Sequence, residues 1–316
     1  MRTIQDLKVV FMGTPEFAVP SLQRLLEHHI PVVGVVTGPD RPSGRGLHFQ
    51  PTPVKQLAVR TGLPVVQPEN LHDPQFIKSL RDWQAEVFLV IGFRILPPEV
   101  YTIPALGTVN LHASLLPKYR GAAPIQWAII NGESETGVTT FFIEEKVDVG
   151  EVILQRKTEI GEFETAGELH DRLALMGADL IIETLEQIAA GTVHRQKQFG
   201  EVSLAPKITK EMACIDWNKS AREIFNFVRG MNPIPGAFTM WQGHHLKIFR
   251  THILNDFSSG HEAGVIVRAN ERKGELVVQA GLGHLAIDEL QIEGKRRMPA
   301  ADFLRGHQVK THEKLG

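Results

Sequence analysis

The strongest constraint on the fold lies in the first third of the chain, where short, nearly continuous apolar runs alternate with stretches of helical periodicity. Lys8–Met12, Val32–Thr37, Val87–Gly92 and Thr108–Leu111 read as strands, and Phe17–Leu26 and Pro53–Thr61 as helices between them. A strand that is apolar at successive positions must be covered on both faces. Strand–helix–strand alternation supplies that cover, and it predicts an α/β domain with a parallel sheet. Ligands of such sheets sit beyond the carboxyl ends of the strands. The turn after the first strand, Gly13-Thr14-Pro15, is not the G-x-G-x-x-G fingerprint, so a dinucleotide is not expected.

The second half has another pattern. Leu169–Ala190 reads as a long helix ended by Gly191, and residues 192–210 read as a polar linker. Ile215–Arg229 reads as a further helix, broken by Asn232-Pro233-Ile234-Pro235-Gly236. Five short β runs follow: Ala237–Trp241, Leu246–Thr251, Gly264–Ala269, Glu275–Ala280 and Gly283–Gln291. Short strands separated by Gly-rich polar turns predict a small barrel of the oligonucleotide-binding (OB) type. Charge divides along the same line. Residues 1–206 hold 18 Lys/Arg against 24 Asp/Glu, whereas residues 207–316 hold 16 against 12. An acidic front and a basic back suit a C-terminal part that meets a polyanion.

Several classes are disfavoured. The one cysteine, Cys214, cannot form an internal disulfide and fits a reducing, cytoplasmic setting. No run approaches the roughly 20 apolar residues of a membrane span. There is no H-E-x-x-H, no Cys pair, no P-loop and no G-x-S-x-G elbow, so metal, P-loop phosphate and serine-hydrolase sites are not expected.

The densest cluster of chemistry is Asn110-Leu-His112-Ala-Ser114-Leu115-Leu116-Pro117-Lys-Tyr-Arg120-Gly121. Asn110 and His112 are two residues apart on a strand leaving the sheet, so they share a face. An amide there can donate to a developing oxyanion, and an imidazole can carry a proton. Asp148, in Val147-Asp148-Val149-Gly150, reads either as a turn residue bonded to its own backbone or as a partner brought in from elsewhere.

Asn110, His112, Ser114–Pro117, Arg120-Gly121, Pro124 and Asp148-x-Gly150 together resemble the formyltetrahydrofolate-dependent formyltransferases. Four further segments resemble the branch acting on aminoacylated initiator tRNA: 11–17, the loop 39–46, the junction 205–217, and 290–304. The resemblance implies a Rossmann-like formyltransferase domain at 1–191, a linker at 192–210, and an OB-like tRNA-binding domain at 211–316. It implies Asn110, His112 and Asp148 as the catalytic residues. Phe93, Arg94, Ile95, Leu96, Ser114, Leu115, Leu116 and Pro117 would line the folate pocket. Arg41, Arg45, Lys207, Lys210, Lys295, Arg296 and Arg297 would contact tRNA.

The implied donor is 10-formyltetrahydrofolate, and the acceptor is methionine esterified to initiator tRNA. No metal or membrane is implied, and the protein would act as a monomer. Two segments depart from the family pattern. The inserted loop reads Gly46-Leu47-His48 in place of a Lys pair, and Ile91-Gly92-Phe93-Arg94-Ile95-Leu96 is closer to the glycinamide ribonucleotide enzymes. The alternatives are formyl transfer to a sugar nucleotide or glycinamide ribonucleotide, hydrolysis of the formyl donor, or RNA binding by an inactive chain.

Overall fold

The computed structural model describes residues 2–43, 48–254 and 260–316. In chain order the first half contains β1 (Val9–Gly13), α1 (Val19–Glu27), β2 (Val32–Val36), the hairpin strands β3 (Arg41–Ser43) and β4 (His48–Gln50), α2 (Pro53–Arg60), β5 (Val65–Val66), α3 (Pro74–Asp82), β6 (Val87–Ile91), α4 (Pro98–Tyr101) and β7 (Thr108–His112). Then come β8 (Arg120–Gly121), α5 (Pro124–Ile130), β9 (Glu135–Phe142), β10 (Val152–Glu159), α6 (Ala166–Ala190) and β11 (Leu204–Ala205). Helices α2 and α3 begin where the sequence supplies both a cap and a proline. Thr52 Oγ1 accepts from Lys55 N–H at 3.1 Å ahead of Pro53, and Asp73 accepts from Gln75 N–H at 2.9 Å ahead of Pro74.

The central sheet has the order β10-β9-β7-β6-β1-β2-β5. Its pairs from β5 to β7 are parallel, and β9 runs antiparallel to β7. Strand register assigns each side chain to a face. Val10, Met12, Phe88 and Val90 pack with Phe76 and Leu80 of α3 and Val100 of α4. Asn110 pairs with Val90, and His112 with Thr139, which carries both residues onto that side at the sheet's carboxyl edge. Leu111, between them, points the other way and meets α6. Thr140, its partner on β9, exchanges a 2.8 Å hydroxyl hydrogen bond with Thr184 of that helix.

Two compact units emerge, Met1–Gly121 with Thr136–Glu159 and His170–Leu204, and Ala122–Glu135 with Ile160–Leu169 and Ala205–Gly316. In the second, α7 (Ala221–Gly230) precedes β12 (Ala237–Trp241), β13 (His244–Leu254), β14 (Ile266–Asn270), β15 (Glu275–Gln279), β16 (His284–Ile292), β17 (Met298–Pro299) and α8 (Ala300–Gly306). The antiparallel order is β12-β13-β16-β15-β14, with β17 on β16. Ile224, Phe225 and Val228 of α7 and Phe303 of α8 share its core with Ile248, Leu285 and Leu290. The five expected strands are all present. Helix α7 starts later than its periodicity suggests, at a Ser220–Glu223 capping box. Before it, Ile215 N–H bonds Phe238 O at 2.8 Å and Trp217 Nε1 bonds Thr239 Oγ1 at 3.0 Å, so this stretch is drawn onto β12.

Two stretches fall elsewhere than the sequence suggests. Residues 160–169 and α5 belong with the second unit. Arg229 of α7, its proton affinity lowered first by burial and then by Arg222, donates to the carbonyls of Gly161 and Glu164 at 3.1 and 3.3 Å. Residues 192–204, expected as linker, belong with the first unit, where Gln196 and Val152 exchange backbone hydrogen bonds at 2.7 and 2.9 Å.

Helix α6 tolerates Gly177 in its interior because a Cβ there would lie 2.6 Å from Leu111 Cδ2. We expect Gly177→Ala to destabilise the protein by up to about 2 kcal/mol in chemical denaturation. Overpacking costs roughly 1–3 kcal/mol and outweighs the about 1 kcal/mol gained in helix propensity. A more stable variant would contradict the close approach of α6 to β7.

Candidate active site

The end of β7 sets Asn110 and His112 on one face of the sheet and brings Asp148 beside His112. His112 and Asp148 are both buried, with Nδ1 and Oδ2 3.8 Å apart. That separation is too long for a hydrogen bond. The ring is instead oriented by Tyr119, whose carbonyl lies 2.8 Å from Nε2. A carbonyl can only accept, so Nε2 carries a proton, and Nδ1 is the ring nitrogen left to exchange one. Tyr119 holds the left-handed φ of 60° that turns its carbonyl inward. Sequence reasoning did not single it out, because a backbone carbonyl leaves no signature in the side chain.

Asp148 is fixed from two sides. Its Oδ2 accepts the Gly121 N–H at 2.8 Å. Its own backbone sits at φ 54°, a costly conformation for a residue with a Cβ. Gly150 explains the Asp-x-Gly spacing, since a Cβ there would stand 1.7 Å from Phe142 O. Asn110 is half-buried, and among the described residues its side-chain amide makes no hydrogen bond.

The turn after β7 is held from below by Thr139. Its hydroxyl donates to Ser114 O at 2.6 Å and accepts Leu116 N–H at 3.2 Å, and Gln155 Nε2 reaches Leu116 O at 2.9 Å. The Leu116–Pro117 peptide is cis. Ser114 donates to Lys118 O at 2.6 Å, so its hydroxyl shapes the turn, and Leu116 is buried while Leu115 is half-buried. In the loop after β6, Ile95 is 74% exposed and Phe93 half-buried, whereas Leu96 packs into the core beside Val100. Arg94 stacks over Phe93 at 5.3 Å and donates to Pro68 O and Glu69 O at 2.6 and 2.9 Å. Burial, and after it the charge of Arg41, lowers its proton affinity. Among the described residues the buried Arg94 Nε has no hydrogen-bond partner.

Of the residues expected to meet tRNA, Arg41 is exposed at the base of the β3–β4 hairpin, and Arg45 lies outside the described residues. Lys207, Lys210, Lys295 and Arg296 are exposed in the second unit. Arg297 is half engaged, paired with Glu289 at 2.5 Å and stacked over Phe249 at 4.3 Å.

Comparison with known proteins matches two family models, one after the other along the chain. The family described as formyl transferase matches residues 7–185, and the formyl transferase C-terminal domain matches 207–308. A methionyl-tRNA formyltransferase of Pelotomaculum thermopropionicum is 48% identical over 311 residues, covering 98% of this chain and 99% of that protein. One of Caldanaerobacter subterraneus subsp. tengcongensis is 45% identical over 306 residues, covering 96% and 98%. Among solved structures, an N-formyltransferase from Helicobacter canadensis in complex with folinic acid and dTDP-3-aminofucose shares the fold at a TM-score of 0.64. It is 22% identical and covers 89% of this chain and 99% of that one. With its α/β domain, its antiparallel C-terminal domain and the Asn110–His112–Asp148 edge, the chain belongs to the formyl transferase family.

Proposed function

We propose that the chain transfers the formyl group of 10-formyltetrahydrofolate to the α-amino group of methionine carried by initiator tRNA, as a cytoplasmic monomer. The reading is carried by the meeting of Asn110, His112 and Asp148 at the end of β7, in a chain that matches methionyl-tRNA formyltransferases over 98% of its length. Among the described residues no helix is long and apolar enough to cross a membrane.

The residues of the β6 and β7 edge suit the folate substrate. Phe93 offers a ring face, Ile95 an exposed apolar surface and Arg94 a positive charge for its carboxylates. Leu115 and Pro117 flank the turn beside them, while Ser114, Leu116 and Leu96 shape it from behind.

In the reaction the neutral amine attacks the formyl carbon, and the carbonyl oxygen becomes an oxyanion. Asn110 donates its amide N–H to that oxygen. His112 takes the proton of the attacking nitrogen at Nδ1, the nitrogen left basic by the Tyr119 contact. Asp148, 3.8 Å away, stabilises the resulting imidazolium. The proton then passes to N10 of the folate as the carbon–nitrogen bond breaks. Lys207, Lys210, Lys295, Arg296 and Arg297, with Arg41 and Arg45, contribute positive charge towards the tRNA backbone.

The decisive assay incubates the protein with 10-formyltetrahydrofolate and charged initiator tRNA and resolves formylmethionyl-tRNA on acid gels. Amino-sugar nucleotide, glycinamide ribonucleotide and water serve as competing acceptors. Faster turnover of any of these would replace the proposed acceptor, and tRNA binding without turnover of any acceptor would make the chain a binding protein.

His112→Ala and Asp148→Ala should each lower single-turnover rates by at least ~10²-fold, the scale for removing one proton-transfer or oxyanion group. Asn110→Asp should be worse than Asn110→Ala, because a carboxylate repels the oxyanion. A folded variant with near-normal rates removes that residue from the mechanism.

Charge reversal at Lys295 and Arg296 should raise the KM for tRNA and leave that for folate unchanged. Each lost phosphate contact should flatten the salt dependence of tRNA binding by a slope of about 1. Equal effects on both substrates would contradict a phosphate-binding role.

A further inference from the structure

Outside the Asn110–His112–Asp148 cluster, one side chain binds the backbone of the catalytic loop and is itself held. Gln198 Nε2 donates to the carbonyls of Asp148 and Gly150, at 2.9 and 3.0 Å. Its Oε1 accepts from Arg120 Nε and Nη2, at 3.2 and 2.6 Å. The guanidinium can only donate, so it sets the amide's orientation and turns Nε2 towards the two carbonyls. Arg120 stands directly between Tyr119, which orients His112, and Gly121, which holds the Asp148 carboxylate. The same stretch is tied down again at Ser203. Tyr119 N–H donates to Ser203 Oγ and Arg120 N–H to Ser203 O, both at 2.9 Å.

We propose that Gln198 is a positioning residue for formyl transfer: by clamping the carbonyls on either side of Val149 and docking on Arg120, it sets the Asp148 carboxylate relative to His112. The proposal rests on the formyl-transfer reading above. The physical need is specific. Asp148 occupies a left-handed conformation that its Cβ disfavours, and Gly150 passes against Phe142 O with no room for a side chain. A loop held against its local preference keeps its geometry only if surrounding contacts over-determine it. Gln198 supplies two of those contacts and touches no reacting atom. A displacement of about 1 Å of a catalytic group is enough to cost up to ~10²-fold in rate.

The test uses the full chain and formylation of charged initiator tRNA. The wild-type protein run alongside keeps the two readings apart, since an inactive wild type overturns formyl transfer itself. Gln198→Ala and the near-isosteric Gln198→Glu, whose carboxylate has no N–H to donate, should each lower kcat by about tenfold or more. The KM for folate and for tRNA should stay within about twofold, and the melting temperature within a few degrees. A cycle with Asp148→Ala supplies the readout that a purely structural role would not move. In the Asp148→Ala background the Gln198 substitutions should change single-turnover rates by less than twofold, because the group they position is gone. Variants of Gln198 with kcat within twofold of wild type would overturn the proposal. So would a loss of the same size in the Asp148→Ala background, or a loss accompanied by general unfolding in both variants.

Discussion

The hydrogen bond from Gly121 N–H to the buried Asp148 carboxylate is the contact on which the candidate site depends. A carboxylate taken out of water needs donors, and a backbone donor is fixed only if the chain around it is fixed. Gly121 follows a turn held by Thr139 and Ser114 and a segment tied to Ser203, so the donor is immobile before any ligand arrives. The same turn delivers the Tyr119 carbonyl to His112 Nε2. One stretch of nine residues after β7, 113–121, therefore decides both which nitrogen of the imidazole carries the proton and where the neighbouring carboxylate lies.

Close approach of backbone explains why particular small residues stand where they do. Gly150 lets the Asp148 loop pass Phe142, and Gly177 lets α6 settle on Leu111. The second contact matters to the site as much as to stability. Covering Leu111 and Thr140 on one face of the sheet commits Asn110, His112 and Thr139 to the other. The geometry of the candidate site is a consequence of strand register and helix packing far more than of local side-chain preference.

Much was legible in the chain itself. Continuous Val/Ile runs dictated buried parallel strands, and the observed β1, β2, β6 and β7 lie within a residue of them at either end. The two-residue spacing of Asn110 and His112 placed both on one side because side chains alternate along a strand. Other features were invisible for physical reasons. Residues 192–204 are polar and irregular, the usual mark of a linker, yet the backbone of Gln196 and the side chains of Gln198 and Ser203 meet backbone groups of the first unit, partners that carry no compositional signal. Helix α5 falls within the 1–191 span expected for the α/β domain. It joins the second unit because Gly230 of α7 leaves room for Ile130 and for the Gln126 carbonyl.

By itself, then, the sequence determined the class of sheet, the strands of the C-terminal domain, the common face of Asn110 and His112, and through its similarity to relatives the family. These rest on periodicity, spacing and residue identity, which are properties of neighbours along the chain. Only the tertiary structure decided that Asp148 stands beside His112, that Tyr119 and not Asp148 orients the ring, and that Gln198 clamps the loop between them. Those relations join residues 7 to 50 positions apart through backbone carbonyls and amides. Every residue carries a carbonyl, and all but proline an amide N–H, so only folding selects which of them meet.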